Sequence, residues 1–204
     1  MKLFKNSQAT FGIIYSGNAQ AIDNHAVSEM ALFIRRCEGG DIRVYPFKPT
    51  YEYENYMCIG ADDDVLEQFG VRVPRETFTD DTVYILVKDN VVVLDGGKRG
   101  QLYAVYEFVE RFMGVRFYLP EEMKAPKVKD LEIPDCEIVY TPKIRFRNLY
   151  SNDMRRDRDF CRSPDNRHCE APHPSHRLWH RKSQQRRYRR PEGSQIQPLP
   201  DLRE

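Results

Sequence analysis

The large apolar side chains of this 204-residue chain are concentrated in its first 150 residues. From Cys161 to Glu204 there is no Val, Phe or Met. A segment so poor in apolar surface cannot offset the conformational entropy that ordering it costs. We therefore predict one folded α/β domain over residues 1–150, and a further segment, residues 151–204, most of which is a disordered tail rich in Arg, His and Pro.

The charge divides at the same place. Residues 1–150 hold 19 basic and 23 acidic groups, a net charge of −4, whereas residues 151–204 hold 13 basic and 8 acidic groups, a net charge of +5. No run approaches the 18 or so apolar residues that a membrane span requires, and polar residues interrupt any signal-peptide core behind Lys2 and Lys5. We expect a cytoplasmic protein without a membrane partner, or an exported one if a native signal peptide has been lost.

The chain has five cysteines, an odd number. Cys37, Cys58 and Cys136 stand beside apolar residues, as buried free thiols do. We expect no disulfide framework.

Hydrophobic periodicity predicts alternating strands and helices along the first 140 residues. A short buried strand is expected over residues 11–15. The helix that follows, from Ala19 to the Gly39-Gly40 stop, has an apolar face of residues at three- and four-residue steps. That face consists of Ile22, Ala26, Val27, Met30, Ala31, Phe33 and Ile34. Further strands are predicted over residues 42–47 and 56–60.

Two β-branched runs, residues 82–87 and 91–94, flank a short polar turn and predict a hairpin. A second long helix is predicted over residues 101–113, with Leu102, Val105, Tyr106, Val109 and Phe112 on one side. Short extended pieces follow over residues 115–119, 131–133, 138–140 and 144–147. The order β-α-β-β-α-β-β-α-β indicates the α/β (α+β) class: a two-layer sandwich in which two long helices pack on a mixed sheet.

Three consecutive aspartates, Asp62, Asp63 and Asp64, precede the short helix predicted over residues 65–69. Acidic residues at a helix start cap its free amides and meet the positive end of its dipole. The alternative is a metal site formed by these aspartates, but no further residues at ligand spacing support it. Capping is the favoured interpretation.

A glycine-rich turn joins the hairpin to the second long helix. Gly96, Gly97, Lys98, Arg99 and Gly100 place free amides and two cations at a helix start, where an anion or a glycan could be held. The plainer interpretation is a tight turn between a strand and a packed helix. The turn lacks the Lys-Ser/Thr ending of a phosphate loop and the spacing of a dinucleotide fingerprint, so the plainer interpretation is favoured.

Residues 96–120, GGKRGQLYAVYEFVERFMGVRFYLP, resemble the closing segment of the N-terminal domain that precedes the catalytic barrel in α-glucuronidases and family-20-type β-hexosaminidases. The resemblance extends, more loosely, over residues 10–150. The matching positions are Gly96, Gly97, Arg99, Gly100, Leu102, Tyr103, Val105, Tyr106, Glu107, Phe108, Gly114, Val115, Arg116 and Pro120.

The resemblance implies a non-catalytic accessory module of carbohydrate metabolism. In such enzymes the acidic residues of a following (β/α)₈ barrel do the chemistry, and no carboxylate pair in this chain can be nominated from spacing. A barrel needs about 200 further residues, so it cannot fit after residue 150. We expect a chain truncated before its barrel, inactive alone, with no cofactor, whose partners are the missing barrel and a carbohydrate.

The segment after residue 160 allows three interpretations. The first is a zinc site, but the spacing of its candidate ligands fits no common finger. Those ligands are Cys161, His168, Cys169, His173, His176 and His180. The second is a nucleic-acid-binding tail, in which the cations attract phosphates while Trp179 and Tyr188 stack on bases. Those cations are Arg177, Arg181, Lys182, Arg186, Arg187, Arg189 and Arg190.

The third, favoured interpretation is a shift of reading frame just after Phe160. Residues 144–160 look like the entry into the first strand of such a barrel, and the composition changes abruptly after them. Unselected sequence from GC-rich DNA is rich in Arg, Pro, Ser, His and Gln, and residues 161–204 have this composition. The alternative function, from another class, is a small interaction protein with a nucleic-acid-binding tail. A third function hypothesis is a free-standing enzyme that uses the glycine-rich turn.

Overall fold

In the computed structural model, the described residues are 1–37, 42, 44–45, 53–119 and 122–143. Their strands are Lys2–Lys5 (β1), Gln8–Ala9 (β2), Phe11–Tyr15 (β3), Val44–Tyr45 (β4), Asn55–Ile59 (β5), Val83–Lys88 (β6), Val91–Gly96 (β7), Arg116–Leu119 (β8), Glu122–Lys124 (β9), Leu131–Glu132 (β10) and Cys136–Tyr140 (β11). Their helices are Ala21–Arg36 (α1), Asp63–Gln68 (α2) and Gly100–Arg111 (α3), with a 3₁₀ turn at Arg75–Thr77.

A six-stranded mixed sheet organises the domain, in the order β11-β6-β7-β5-β3-β4. Strands β4, β3, β5 and β7 are mutually parallel, whereas β6 is antiparallel to both β7 and β11. The parallel strands are joined by crossovers that contain helices, and β6 joins β7 by a tight turn, as these two kinds of pairing require. The predicted mixed sheet is confirmed.

The two long helices cover one face of this sheet. Helix α3 packs on β6, β7 and α1, and α1 packs on β3 and β5. The predicted apolar face of α1 is confirmed at Ala26, Val27, Met30, Phe33 and Ile34, all of which are buried. These contacts confirm the predicted sandwich of long helices on a mixed sheet.

Helix α3 is buried more completely than its sequence pattern predicts. Every residue from Gly100 to Val109 is buried, including the polar Gln101 and Glu107. A one-sided apolar stripe predicts one buried face, whereas Tyr103, Ala104 and Phe108 outside the predicted stripe are buried as well. Glu107 tolerates burial because the Tyr140 hydroxyl donates to its carboxylate at 2.9 Å and Arg111 pairs with the other oxygen.

The opposite face of the sheet carries a second, smaller apolar cluster. Residues of α2 and the segment after it pack on side chains that point away from α1 and α3. Val65, Leu66, Val71 and Val73 supply this cover. Strands β5 and β7 are consequently buried on both sides, which explains their nearly continuous apolar sequence.

The predicted hairpin is confirmed. Strands β6 and β7 pair in antiparallel register over six residues each, from Val83 opposite Gly96 to Lys88 opposite Val91. The two-residue turn is Asp89-Asn90, and Asp89 has a φ of 51°. Hairpin turns of this length need positive φ, and Asp is one of the few residues other than Gly that tolerate it.

A separate three-stranded sheet, in the order β10-β1-β2, was not expected from the sequence. The N-terminal amine of Met1 donates to the Ile133 carbonyl at 2.8 Å, and Ile133 N donates to the Met1 carbonyl at 2.8 Å. Leu3 and Phe4 are buried in the main core. Strand β1 thus pairs with the nearby β2 and also with a segment about 130 positions away, and no local pattern encodes the distant pairing.

The described cysteines are free, as predicted. Cys37 and Cys58 are buried, and burial raises their pKa values to about 11 and about 12, so both stay protonated at neutral pH. Cys136 is half-buried, less enclosed than its sequence context indicates.

Several sequence predictions fall outside the described residues. These are the Gly39-Gly40 helix stop, most of the strand over 42–47, the strand over 144–147 and the whole tail. The division of the chain into residues 1–150 and 151–204 likewise stays a prediction. No helix in the described part of the chain has the length and apolar character to cross a membrane.

Candidate functional site

The carboxyl ends of three parallel strands meet at one edge of the main sheet. Strand β3 ends at Tyr15, β5 at Ile59 and β7 at Gly96. The chain leaves β3 and β7 toward α1 and α3 on one face, and leaves β5 toward α2 on the other. In open α/β sheets such a reversal creates a crevice outside the strand ends, where ligands bind. The glycine-rich turn predicted as a contact site lies at this edge.

Close packing explains the glycines of this turn. A Cβ atom on Gly97 would overlap the Thr79 carbonyl oxygen, and one on Gly100 would overlap the Thr82 carbonyl oxygen. Both obstacles are backbone atoms of the segment that enters β6, so they cannot swing away. The favoured interpretation of a tight strand-to-helix turn agrees with this geometry.

Most of the turn's hydrogen-bond donors have partners inside the protein. Gly97 N donates to Thr82 O at 2.9 Å, and the amides of Arg99 and Gly100 donate to Asp80 O at 2.8 and 3.1 Å. Arg99 Nε donates to Asp81 Oδ1 at 2.6 Å, and this hydrogen bond raises the pKa of Arg99. Lys98 is exposed. An anion or glycan contact at Gly96, Gly97, Lys98, Arg99 and Gly100 stays a prediction.

The predicted role of the three aspartates at the start of α2 is confirmed only in part. Asp62 occupies the N-cap position of α2 but makes no side-chain cap hydrogen bond. Its carboxylate instead accepts from Ser16 Oγ at 2.7 Å and from Gly17 N at 3.3 Å. The capping prediction is therefore wrong for Asp62, because a partner from the end of β3 takes both oxygens. Asp63 and Asp64 do lie in the first turn, where the helix dipole favours them.

The metal alternative for these aspartates finds no support in geometry. Among the residues that the structure describes, no group of three or more His, Cys, Asp or Glu side chains could hold a metal ion. The zinc ligands considered in the tail, and its nucleic-acid-binding cations, lie outside the described residues.

An ion-pair network at this edge of the sheet was not predicted from the sequence. Arg75 donates to Asp95 Oδ2 from Nη2 at 2.6 Å and from Nε at 3.1 Å, and also donates to Ala61 O at 2.6 Å. Its Nη1 pairs with Asp63. The Asp95 side chain is only 3% exposed. Burial raises the pKa of the Asp95 carboxyl, and Arg75 offsets part of that rise.

One signal in the sequence could have indicated this pair. Asp95 follows four apolar residues of a strand buried on both faces, so its carboxylate needs a partner. Nothing local identifies Arg75 as that partner, since it lies 20 residues away in a 3₁₀ turn. The network ties the ends of β5 and β7 to α2 and to the 3₁₀ turn.

Gln101 is the second feature that the sequence did not reveal. Its Nε2 is buried and has no hydrogen-bond partner in the described structure. The carboxamide lies against Gly60, where any Cβ atom would collide with it. Gly60 also has a φ of +54°, a backbone conformation that favours glycine.

Two further carboxylates are buried between elements, and both have partners. Tyr106 donates to Glu29 Oε2 at 3.2 Å between α3 and α1. Glu107 is held by Arg111 and Tyr140, as described above. These contacts join helices and strands of the domain.

In fold, the chain is similar to part of a solved glycoside hydrolase. No protein-family model matches the sequence, and no curated protein matches it. Among solved structures, a family GH115 4-O-methyl-α-glucuronidase, BtGH115A, with specificity for decorated arabinogalactans, superposes with a TM-score of 0.50 at 14% identity. The match covers 68% of this chain and 18% of that chain.

A second structure, CpGH84D, matches with a TM-score of 0.34 at 14% identity, over 48% of this chain and 17% of that one. At that score the similarity carries no argument. The matched part of the chain thus corresponds to less than a fifth of each of these two solved chains. The GH115 comparison supports the fold, and a glycoside-hydrolase context follows from it only as a proposal.

Replacing Arg75 with Met is expected to destabilise the domain by about 3 kcal/mol at pH 7, because Asp95 is left buried and unpaired. Arg72→Met is the matched control, since the Arg72 side chain is 89% exposed and pairs with Glu76 at 3.8 Å. We expect the control to cost less than about 0.5 kcal/mol. Urea unfolding measures both.

The loss in Arg75→Met is also expected to shrink as the pH falls. Without Arg75, the folded-state pKa of Asp95 lies further above its unfolded value, so protonation favours the folded state. The Arg75→Met variant therefore becomes more stable as the pH falls from the raised folded-state pKa of Asp95 toward its unfolded-state pKa, near 4. Equal losses in the two variants, or a loss independent of pH, would contradict the assigned network.

Gly97→Ala is expected to destabilise the domain by about 2 kcal/mol or more, because the new methyl group meets a backbone carbonyl. Gly70→Ala serves as the control, since Gly70 has a φ of +64° but open space around its Cα. The control should cost only the left-handed strain, about 1 kcal/mol. If Gly70→Ala proved the more harmful in thermal unfolding, close packing at Gly97 would not be the reason for its glycine.

Proposed function

We propose that residues 1–150 form a non-catalytic N-terminal module of a glycoside-hydrolase-like protein. The fold similarity to the GH115 α-glucuronidase carries the proposal, because it covers most of this chain but under a fifth of the enzyme. The motif over residues 96–120 supports it independently. Such a module would pack on a catalytic (β/α)₈ barrel and frame its carbohydrate site.

The chemistry of the described residues favours a module over an enzyme. A glycosidase needs two carboxyl groups free to flank the scissile bond. The buried carboxylates described here are engaged: Asp95 with Arg75, and Glu107 with Arg111 and Tyr140. These two carboxylates therefore stabilise the fold and are not candidates for the acid and base of hydrolysis.

Under this proposal, the barrel is encoded beyond Phe160 in another reading frame. The coding DNA read in its other two frames should there yield barrel-like strands and helices. Expressing that restored frame should give a protein that hydrolyses aryl glycosides, whereas the 204-residue chain, assayed identically, should not. Hydrolysis by the purified 204-residue chain, or barrel-like sequence in neither frame, would overturn the proposal.

The composition of the tail favours a second candidate, a nucleic-acid-binding segment. Between Arg177 and Arg190 there are seven Lys or Arg residues, two aromatic residues and no acidic residue. Such a segment attracts polyanions electrostatically, and its aromatic rings can stack on bases.

We expect the chain to bind single-stranded oligonucleotides with an affinity that falls steeply with salt, and to lose this binding when truncated at residue 150. Fluorescence anisotropy between 50 and 200 mM salt measures it. Trp179→Ala with Tyr188→Ala keeps every cation, so it separates stacking from charge. Salt-independent binding, or binding that survives the truncation, would rule out the tail as the binding segment.

A further inference from the structure

The last described strand, β11, lies at an edge of the main sheet and has little buried surface. Among the described strands it pairs only with β6. Its five residues alternate between half-buried and exposed, whereas four of the six residues of β6 are buried. Elements with few buried contacts open locally at low cost in free energy. Packing alone would therefore hold the end of β11 loosely.

Two side-chain hydrogen bonds attach the end of β11 to the domain. The Tyr140 hydroxyl donates to Glu107 Oε2 of α3 at 2.9 Å. The hydroxyl oxygens of Thr141 and Thr82 lie 2.7 Å apart. Because successive residues of an extended chain point to opposite faces of a sheet, these two bonds attach the chain on both faces. We call this pair of hydrogen bonds the exit clamp.

Both partners of the exit clamp are themselves fixed. The Glu107 side chain is 9% exposed and forms an ion pair within its own helix. Thr82 Oγ1 accepts from Thr79 N at 2.9 Å, and the Thr82 carbonyl oxygen accepts from Gly97 N at 2.9 Å. The hydrogen bond of Thr141 thus joins the end of β11 to the glycine-rich turn. Because neither partner has to be ordered first, each bond restricts β11 at little further cost in entropy.

The sequence after the exit clamp restricts the backbone further. Thr141 is followed by Pro142. The proline ring fixes its own φ and confines the preceding residue to extended conformations. Few backbone conformations are therefore open to the chain directly after β11.

We infer that Tyr140 and Thr141 are positioning residues that set the direction in which the chain leaves the domain. Through the exit clamp, β11 and Thr141 move with the core as one body. The inference deepens the proposed function and rests on it, because a catalytic domain that follows would then start from a fixed point beside the glycine-rich turn.

Backbone ¹⁵N relaxation of the full 204-residue chain tests the exit clamp. We expect order parameters of about 0.85 at the amides of Thr141 and Lys143, equal to those of the core strands. The double variant Tyr140→Phe with Thr141→Val removes both hydroxyl groups and little volume. In it the order parameters of these two amides should fall below about 0.6, while those of β5 and β7 stay unchanged.

A matched control removes the same two chemical groups elsewhere. Tyr118 is 55% exposed, and Thr10 Oγ1 donates to Lys2 O at 2.8 Å. The double variant Tyr118→Phe with Thr10→Val should leave the order parameters of Thr141 and Lys143 as they are. If the first double variant does not fold, Thr141→Val alone gives the comparison, since Tyr140 then still holds Glu107.

Three results would overturn the exit clamp. They are order parameters below about 0.6 at Thr141 in the unaltered chain, unchanged values in the clamp variant, and an equal fall in the control. None of them bears on hydrolysis by the restored reading frame. A restored protein that cleaves aryl glycosides while the clamp variant shows no change would remove the clamp and leave the accessory module in place.

Discussion

The burial of β7 on both faces is the constraint on which the rest of the domain depends. Val92 and Leu94 point into the core under α1 and α3, while Val91 and Val93 point into the smaller cluster under α2. A strand in this position must pair on both edges, which β5 does in parallel and β6 in antiparallel. The mixed sheet and the helices on both sides follow from covering this one strand.

The carboxyl end of β7 determines the polar contacts at this edge of the sheet. Because Asp95 continues a buried strand, its carboxylate has to be paired within the protein, and Arg75 reaches it from a segment that precedes β6. The turn that follows has to pass close to the Thr79 and Thr82 carbonyls, which leaves room only for glycine. The polar network therefore comes from the way the central strand ends.

Much of the fold could be predicted, because its local patterns agree with its tertiary contacts. The α1 face from Ala26 to Ile34 and the hairpin around Asp89-Asn90 are encoded in spacing and turn chemistry. Pairing of β1 with β10 could not be predicted, because Leu3 and Phe4 form no periodic pattern and their partner lies at the far end of the domain. Burial of Glu107 was also hidden, since its partner Tyr140 comes from a strand 33 residues away.

The amino-acid sequence by itself determined the order of strands and helices from β3 to β8, the apolar faces that meet in the core and the glycine-rich turn into α3. These properties depend on residues close together in the chain. Only the tertiary structure decided that Asp62 accepts from Ser16 rather than capping α2, that Arg75 neutralises Asp95, and that Gln101 Nε2 is buried without an acceptor. Each depends on which distant segments the sheet brings to one edge, and periodicity carries no information about that.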